Sequence, residues 1–277
     1  MKNLITILFL VISSTFFGQR SFEGKATYMS KRTVDMNNFG QMSEQQKKQM
    51  MARFKRFLEK TYTLSFNQSE SSFKENASLD APGSGGGPRW GASNGQGSIY
   101  KNIKDKEMIE DVEQFSKRFL VVEEMEQPKW EMSTETKKIG NYTCYKATLV
   151  KEDNSVDWGK MFRRGGSAKK TDSTKTKDKM ADVPMLNITA WYTPQIPVSS
   201  GPDTYYGLPG LILEINAGRT TMLCTEIVIN PEESVKIEKP TKGEKVGREE
   251  YNQIVKKKAE ELREQFKARG RRGGRRF

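Results

Sequence analysis

The residues that could do chemistry in this chain are few, and histidine is not among them. Its absence excludes Ser-His-Asp and Cys-His nucleophile systems, and His-ligated zinc or haem. Two cysteines, Cys144 and Cys224, cannot supply a four-thiolate metal site within one chain. Catalysis would have to rest on carboxylates, Lys, Tyr or a Ser–Lys pair. The densest candidate lies around the stretch "YYGLPGLILEIN", residues 205–216. Asp203, Tyr206 and Glu214 fall close together there, and paired carboxylates could act as general acid and base. A single Glu on a strand is more often solvated or salt-bridged. The same stretch could instead shape a binding pocket, with Trp191, Tyr206 and Glu214 as candidate lining residues. No cofactor or metal motif appears, so no cofactor is expected.

A turn must position these residues. Pro209 and Gly210 fit the second and third places of a type II turn, Pro fixing φ and Gly supplying a positive one. The signature is thus Gly207, Leu208, Pro209, Gly210, Leu211 and Ile212. Beyond it, strand alternation sends Leu211, Leu213 and Ile215 to a core, and Ile212, Glu214 and Asn216 to the other face. Upstream, "TPQIPVSSGP" is stiff and extended.

The remaining elements are short and mostly β-like. Residues 22–34 and 61–75 alternate as strands, and strand-like segments resume at 98–103 and 119–125. Residues 129–152 read as a hairpin turning at Ile139-Gly140-Asn141, and further strands follow at "LNITAWYTPQIP", 205–216 and 220–230. Residues 43–60 read as a helix, with Ser43 and Gln46 as a capping box and Met50, Phe54, Phe57 and Leu58 as its apolar stripe. That stripe suits packing on a sheet better than lying on a membrane surface. A C-terminal helix places Tyr251, Ile254, Val255, Leu262 and Phe266 on one face. Two polar excursions, about 76–98 and 153–184, carry too few apolar residues to fold alone and are expected to be flexible. The expected fold is mainly β (α+β). It is a curved antiparallel sheet or half-open barrel, with one N-terminal-half helix packed on it and a C-terminal amphipathic helix.

Composition places the chain. Lys2 followed by the apolar run 4–17 reads as a secretory signal peptide, 1–18, with the mature chain starting near Gln19. The run is too short to span and stop, and no later segment could cross a membrane. Residues 19–230 then form a single β domain, and 231–277 a C-terminal helix with a basic, disordered tail, "RGRRGGRRF". Export to an oxidising compartment would allow Cys144 and Cys224 to pair, the alternative being two buried thiols. The net charge of +12 suits anionic surfaces.

"GLPGLILEI", with "AWYTPQIPVSSGP" before it and "KKIGNYTCYKAT" further upstream, closely resembles the GLPGLI family of exported proteins from outer-membrane bacteria. The resemblance covers roughly residues 22–230. It implies a periplasmic or extracellular protein and supplies no established activity or catalytic residue to carry over. The expected sheet is also similar, at the level of fold only, to the periplasmic lipoprotein carriers, which bind acyl chains on a concave face. The function expected is a non-enzymatic binding module for a lipid, peptide or outer-membrane protein partner. The alternatives are a carboxylate-dependent enzyme, or a polyanion binder that meets lipopolysaccharide through its Arg-rich tail, with nucleic acid disfavoured by export.

Overall fold

The structure, a computed structural model, describes residues 22–33, 43–76, 95–152 and 185–273. The expected signal peptide and the greater part of both excursions lie outside the described residues. Among the described residues twelve strands form one sheet, antiparallel apart from its last pair. In chain order they are β1 (Glu23–Arg32), β2 (Glu59–Asn67), β3 (Glu70–Glu75), β4 (Gly95–Asn102), β5 (Glu107–Gln114) and β6 (Lys117–Glu124). Then come β7 (Glu131–Ile139), β8 (Tyr142–Glu152), β9 (Met185–Thr193), β10 (Leu211–Ala217), β11 (Thr220–Ile229) and β12 (Glu244–Gly247). Helix α1 (Glu44–Leu58) precedes β2, and α2 (Arg248–Gly273) follows β12.

The spatial order is β12-β6-β5-β4-β3-β2-β1-β11-β10-β9-β8-β7. Two meanders, β1–β6 and β7–β11, therefore meet at one seam, β1 against β11. Their connection reveals the shape. In the sheet β6 and β7 stand ten strand spacings apart, about 48 Å along a flat sheet at the usual separation. Yet Glu124 and Glu131 are joined by only residues 125–130, whose extended reach is about 25 Å. The sheet must curl, which agrees with the expected curved sheet. Met125, the first residue of this strap, is buried in the core.

Inward alternation builds the main core. Ala26 and Tyr28 of β1, Leu64 and Phe66 of β2, Ala190 of β9 and Ile215 of β10 are all essentially inaccessible. Phe73 of β3 stacks on Tyr62 at 4.8 Å and meets Tyr28 edge-on at 6.1 Å. A second, smaller core lies under α2, where Tyr251 and Val255 close over Val112, Phe119, Val121 and Val246. Ala259 is also buried, completing an i, i+4, i+8 stripe. Burial of such a stripe is what holds a helix to a sheet, each large side chain contributing roughly 1.5–3 kcal/mol.

Several expectations need correction. The segment 59–75 is two strands, because Asn67 Oδ1 accepts the N–H groups of Ser69 and Glu70 and turns the chain. Strand β5 lies where none is expected, its Glu110 and Asp111 being buried by arginine partners. β4 starts at Gly95, inside the first expected excursion, and α2 runs on to Gly273, through half of the expected basic tail. The Ser43–Gln46 capping box of α1 is present. Met50 and Leu58 are only half-buried, while the side chains of Phe54, Phe57 and Phe266 lie outside the described residues.

Candidate functional site

The signature segment is fastened to the strap. Three hydrogen bonds join them. Trp130 Nε1 donates to the Tyr206 carbonyl at 2.8 Å, Gln127 Nε2 to the Gly207 carbonyl at 3.0 Å, and Tyr206 Oη to the Glu126 carbonyl at 2.6 Å. Gly207 adopts φ 92°, and a Cβ there would lie 2.7 Å from Pro128 Cδ. Leu208 is buried. The turn itself is not type II. Gly210 does supply the expected positive φ, at 157°, but its N–H donates to the Leu208 carbonyl at 2.8 Å. That is a three-residue γ-turn centred on Pro209. Glycine is required by proximity: a Cβ would collide with the Thr193 carbonyl oxygen and lie 2.8 Å from Pro194 N.

Beyond the turn, Leu211, Ile212 and Leu213 are all buried, against the expected alternation. A bulge between Ile212 and Glu214 shifts the register with β9, and residues 196–200 cover the second face. Leu211 N–H donates to the Ile196 carbonyl at 3.0 Å and Ile212 N–H to Ser200 at 3.1 Å. Tyr28 Oη donates to the Ile212 carbonyl at 2.6 Å, tying the signature to the seam strand.

The least expected group is Lys101 of β4. It is fully buried, and its ammonium donates to the carbonyls of Gly201, Asp203 and Tyr205 at 2.6, 2.7 and 3.0 Å. Burial lowers its pKa to about 7, against the pull of Asp203. Asp203, at φ 53°, is itself raised by burial, which outweighs the attraction of Lys101. Nearby, Arg248 at the start of α2 bridges Glu110 and Glu123, donating to Glu123 at 2.8 Å through both Nε and Nη2. Burial raises the Glu110 carboxyl although Arg248 opposes it. The sequence offers no signal for Lys101, because its carbonyl partners lie a hundred residues away.

Each of the candidate lining residues Trp191, Tyr206 and Glu214 is engaged within the fold. Trp191 and Glu214 face each other across β9 and β10, whereas Tyr206 bonds to the strap. Glu214 accepts from Lys137 Nζ at 2.6 Å and from Asn216 Nδ2 at 2.8 Å, and Lys137 lies 4.4 Å over the Trp191 ring. Its hydrogen-bond partners thus include no second carboxylate, and Asp203 is engaged on the Lys101 side. Cys144 and Cys224 are both free and buried, with β9 and β10 between their strands, so of the two readings left open it is the pair of buried thiols that the structure holds. Burial pushes their thiols up to about 11 and 12. Among the described residues no group of His, Cys, Asp or Glu is placed to hold a metal ion, and no helix is long and apolar enough to cross a membrane.

Two grooves flank α2. One, of about 590 Å³, is wide open and lined by Glu123, Glu124, Arg248, Glu249 and Glu250. The other, of about 440 Å³, is narrower and mostly apolar, with Phe115, Phe119, Ile254 and Leu262 as its floor and Lys117, Lys258, Glu244 and Glu261 at its rim.

Comparison with known proteins adds a family of unknown function. Residues 130–214 match that family, Porph_ging. The match opens at the strap's Trp130 and closes at Glu214 of β10, so it holds the signature and most of the second meander. No curated protein matches the chain. Two crystal structures of PNGF-II are similar at 13% and 12% identity, with TM-scores of 0.46 and 0.47, over 85% of this chain and 33% of theirs. The chain thus spans about a third of the length of those structures. An uncharacterized conserved protein from Thermus thermophilus is similar at 8% identity and a TM-score of 0.30, over 83% of this chain and 92% of its own.

Proposed function

We propose that this protein is an exported, non-enzymatic binding module of the GLPGLI type, acting in the periplasm or at the cell surface. The signature spells that family's name at residues 207–212, and the N-terminal apolar run reads as its export signal. The polar atoms around the signature are engaged within the fold: the Tyr206, Gly207 and Ile212 carbonyls accept bonds from Trp130, Gln127 and Tyr28. This favours a fastening role for the motif over a catalytic one.

The observation that carries the binding reading is the apolar groove between β6 and α2. Its floor is aromatic and aliphatic and its rim is charged, the composition of a site for an elongated apolar ligand such as an acyl chain or an amphipathic peptide. Titration with a fluorescent fatty acid tests it. Saturable binding is expected, weakened about tenfold or more by Leu262→Glu, which puts a charge on the half-buried floor. Absence of binding, or binding indifferent to that substitution, rejects the groove as the site.

A second reading rests on charge. Residues 263–277 hold seven Lys or Arg against one Glu, half of the chain's net +12. Such a segment suits a phosphate-rich surface such as lipopolysaccharide, with strong salt dependence.

A further inference from the structure

We propose that α1 docks this protein on an anionic phospholipid surface. The proposal stands apart from the groove beside α2 and rests on how differently the two helices are used. Both carry an apolar stripe at helical spacing. That of α2 is closed over the sheet, with Tyr251, Val255 and Ala259 all buried. That of α1 is left partly open. The helix touches β1 and β2, yet Met50 and Leu58 are only half-buried and Met51 is 36% exposed. Among the described residues, none from α1 belongs to a buried core. At the end that leads into β2, Glu59 meets both Lys55 and Lys31 of β1 at 3.8 Å, which tethers the helix at that end.

The charges around the open stripe say what would cover it. α1 carries five Lys or Arg against a single Glu. At about 100° per residue, Met50, Met51, Phe54, Phe57 and Leu58 fall within an arc of about 120°. Arg53 falls on one side of that arc, and Lys48 and Lys55 fall on the other. Both of these lysines are exposed. Lys47, the one charged residue inside the arc, lies in the first turn and is bonded to Glu44 at 2.7 Å.

Long cationic side chains beside an apolar stripe bury their stems while their charges reach phosphate groups. A helix of this kind lies in the plane of a bilayer surface, with its apolar side at the level where headgroups meet acyl chains. A groove on a partner protein would use the stripe alone. The cations that border the stripe favour a phosphate-bearing surface, to which each adds an attraction that salt weakens.

Vesicle flotation tests the proposal, with the chain from Gln19 onward so that the apolar run 4–17 takes no part. Binding to phosphatidylcholine vesicles that contain phosphatidylglycerol is expected, falling with salt, with far less binding to phosphatidylcholine alone. Lys48→Glu combined with Lys55→Glu should weaken it about tenfold or more. Met51→Gln, which keeps every charge, should weaken it about fivefold or more. All three positions are exposed, so the thermal melts should be unchanged. A polarity-sensitive fluorophore attached at Met51→Cys, with Cys144 and Cys224 buried, should shift to shorter wavelength on binding. That readout reports on α1 and not on the basic residues 263–277. Binding that ignores both α1 variants, or a label that keeps its aqueous emission on bound protein, assigns the attachment to those basic residues and overturns the proposal. Absence of binding to either vesicle overturns it as well.

Discussion

Gly210 shows how one missing atom fixes a motif. Its backbone approaches Thr193 and Pro194 at the end of β9 so closely that no Cβ fits. The obstacle is backbone on both sides, so no rotamer change relieves it. Gly210→Ala is expected to cost at least about 2 kcal/mol, the scale of overpacking in a rigid site. For a domain of this size that lowers the melting temperature by roughly 5 °C or more in a thermal scan. The requirement for glycine is legible in the sequence, but its reason is not. Pro209-Gly210 reads as a type II turn by residue preference alone. The γ-turn and the contact with β9 depend on a strand that ends well upstream, at Thr193, in a chain that folds back on itself. Lys101 is less legible still, since a lysine in a β-like segment reads as solvated.

Among the elements, α2 is the one most readily read and β5 the least. The apolar stripe of α2 falls at helical spacing, and the structure buries Tyr251 and Val255 as that spacing requires. Strand β5, "EMIEDVEQ", escapes notice because its acids look like solvent-facing residues. Glu110 and Asp111 are instead buried, and arginines from outside the strand compensate them. This makes α2 and β5 energetically interdependent. Arg248→Ala would leave Glu110 without its guanidinium and should cost about 2 kcal/mol, below the usual figure for a buried pair because Arg248 is partly exposed. The pH dependence follows from the direction of the Glu110 shift. Its carboxyl is raised in the folded state, so the folded protein binds the proton more tightly and loses stability as pH rises through that region. Loss of Arg248 raises it further. Urea unfolding should therefore show a larger deficit for the variant at about pH 7.5 than at about pH 5. An equal deficit at both would mean that Glu110 is solvated.

At the scale of the whole molecule, the polar excursions connect strand ends that are already neighbours. Glu152 of β8 pairs directly with Met185 of β9, so residues 153–184 bridge a gap that a tight turn would close. Replacing them by a turn of about four residues is expected to hold or raise the melting temperature, since about three halvings of loop length return about 2 kcal/mol of closure entropy. A collapse of the melt would show that the segment supports the sheet. The seam between the meanders has a consequence for how the chain reaches this state. β1 is the first of the described strands to be made, yet it lies between β2 and β11 in the finished sheet. Gly24 waits for Ile229, its partner across the seam. The first meander can form from nearby contacts, but its β1 edge stays bare until almost the whole chain is available. Such long-range pairing slows folding. Until then, the inner-face residues Ala26 and Tyr28 border an edge open to any other strand. A chain cut before β11 should aggregate rather than merely lose a piece.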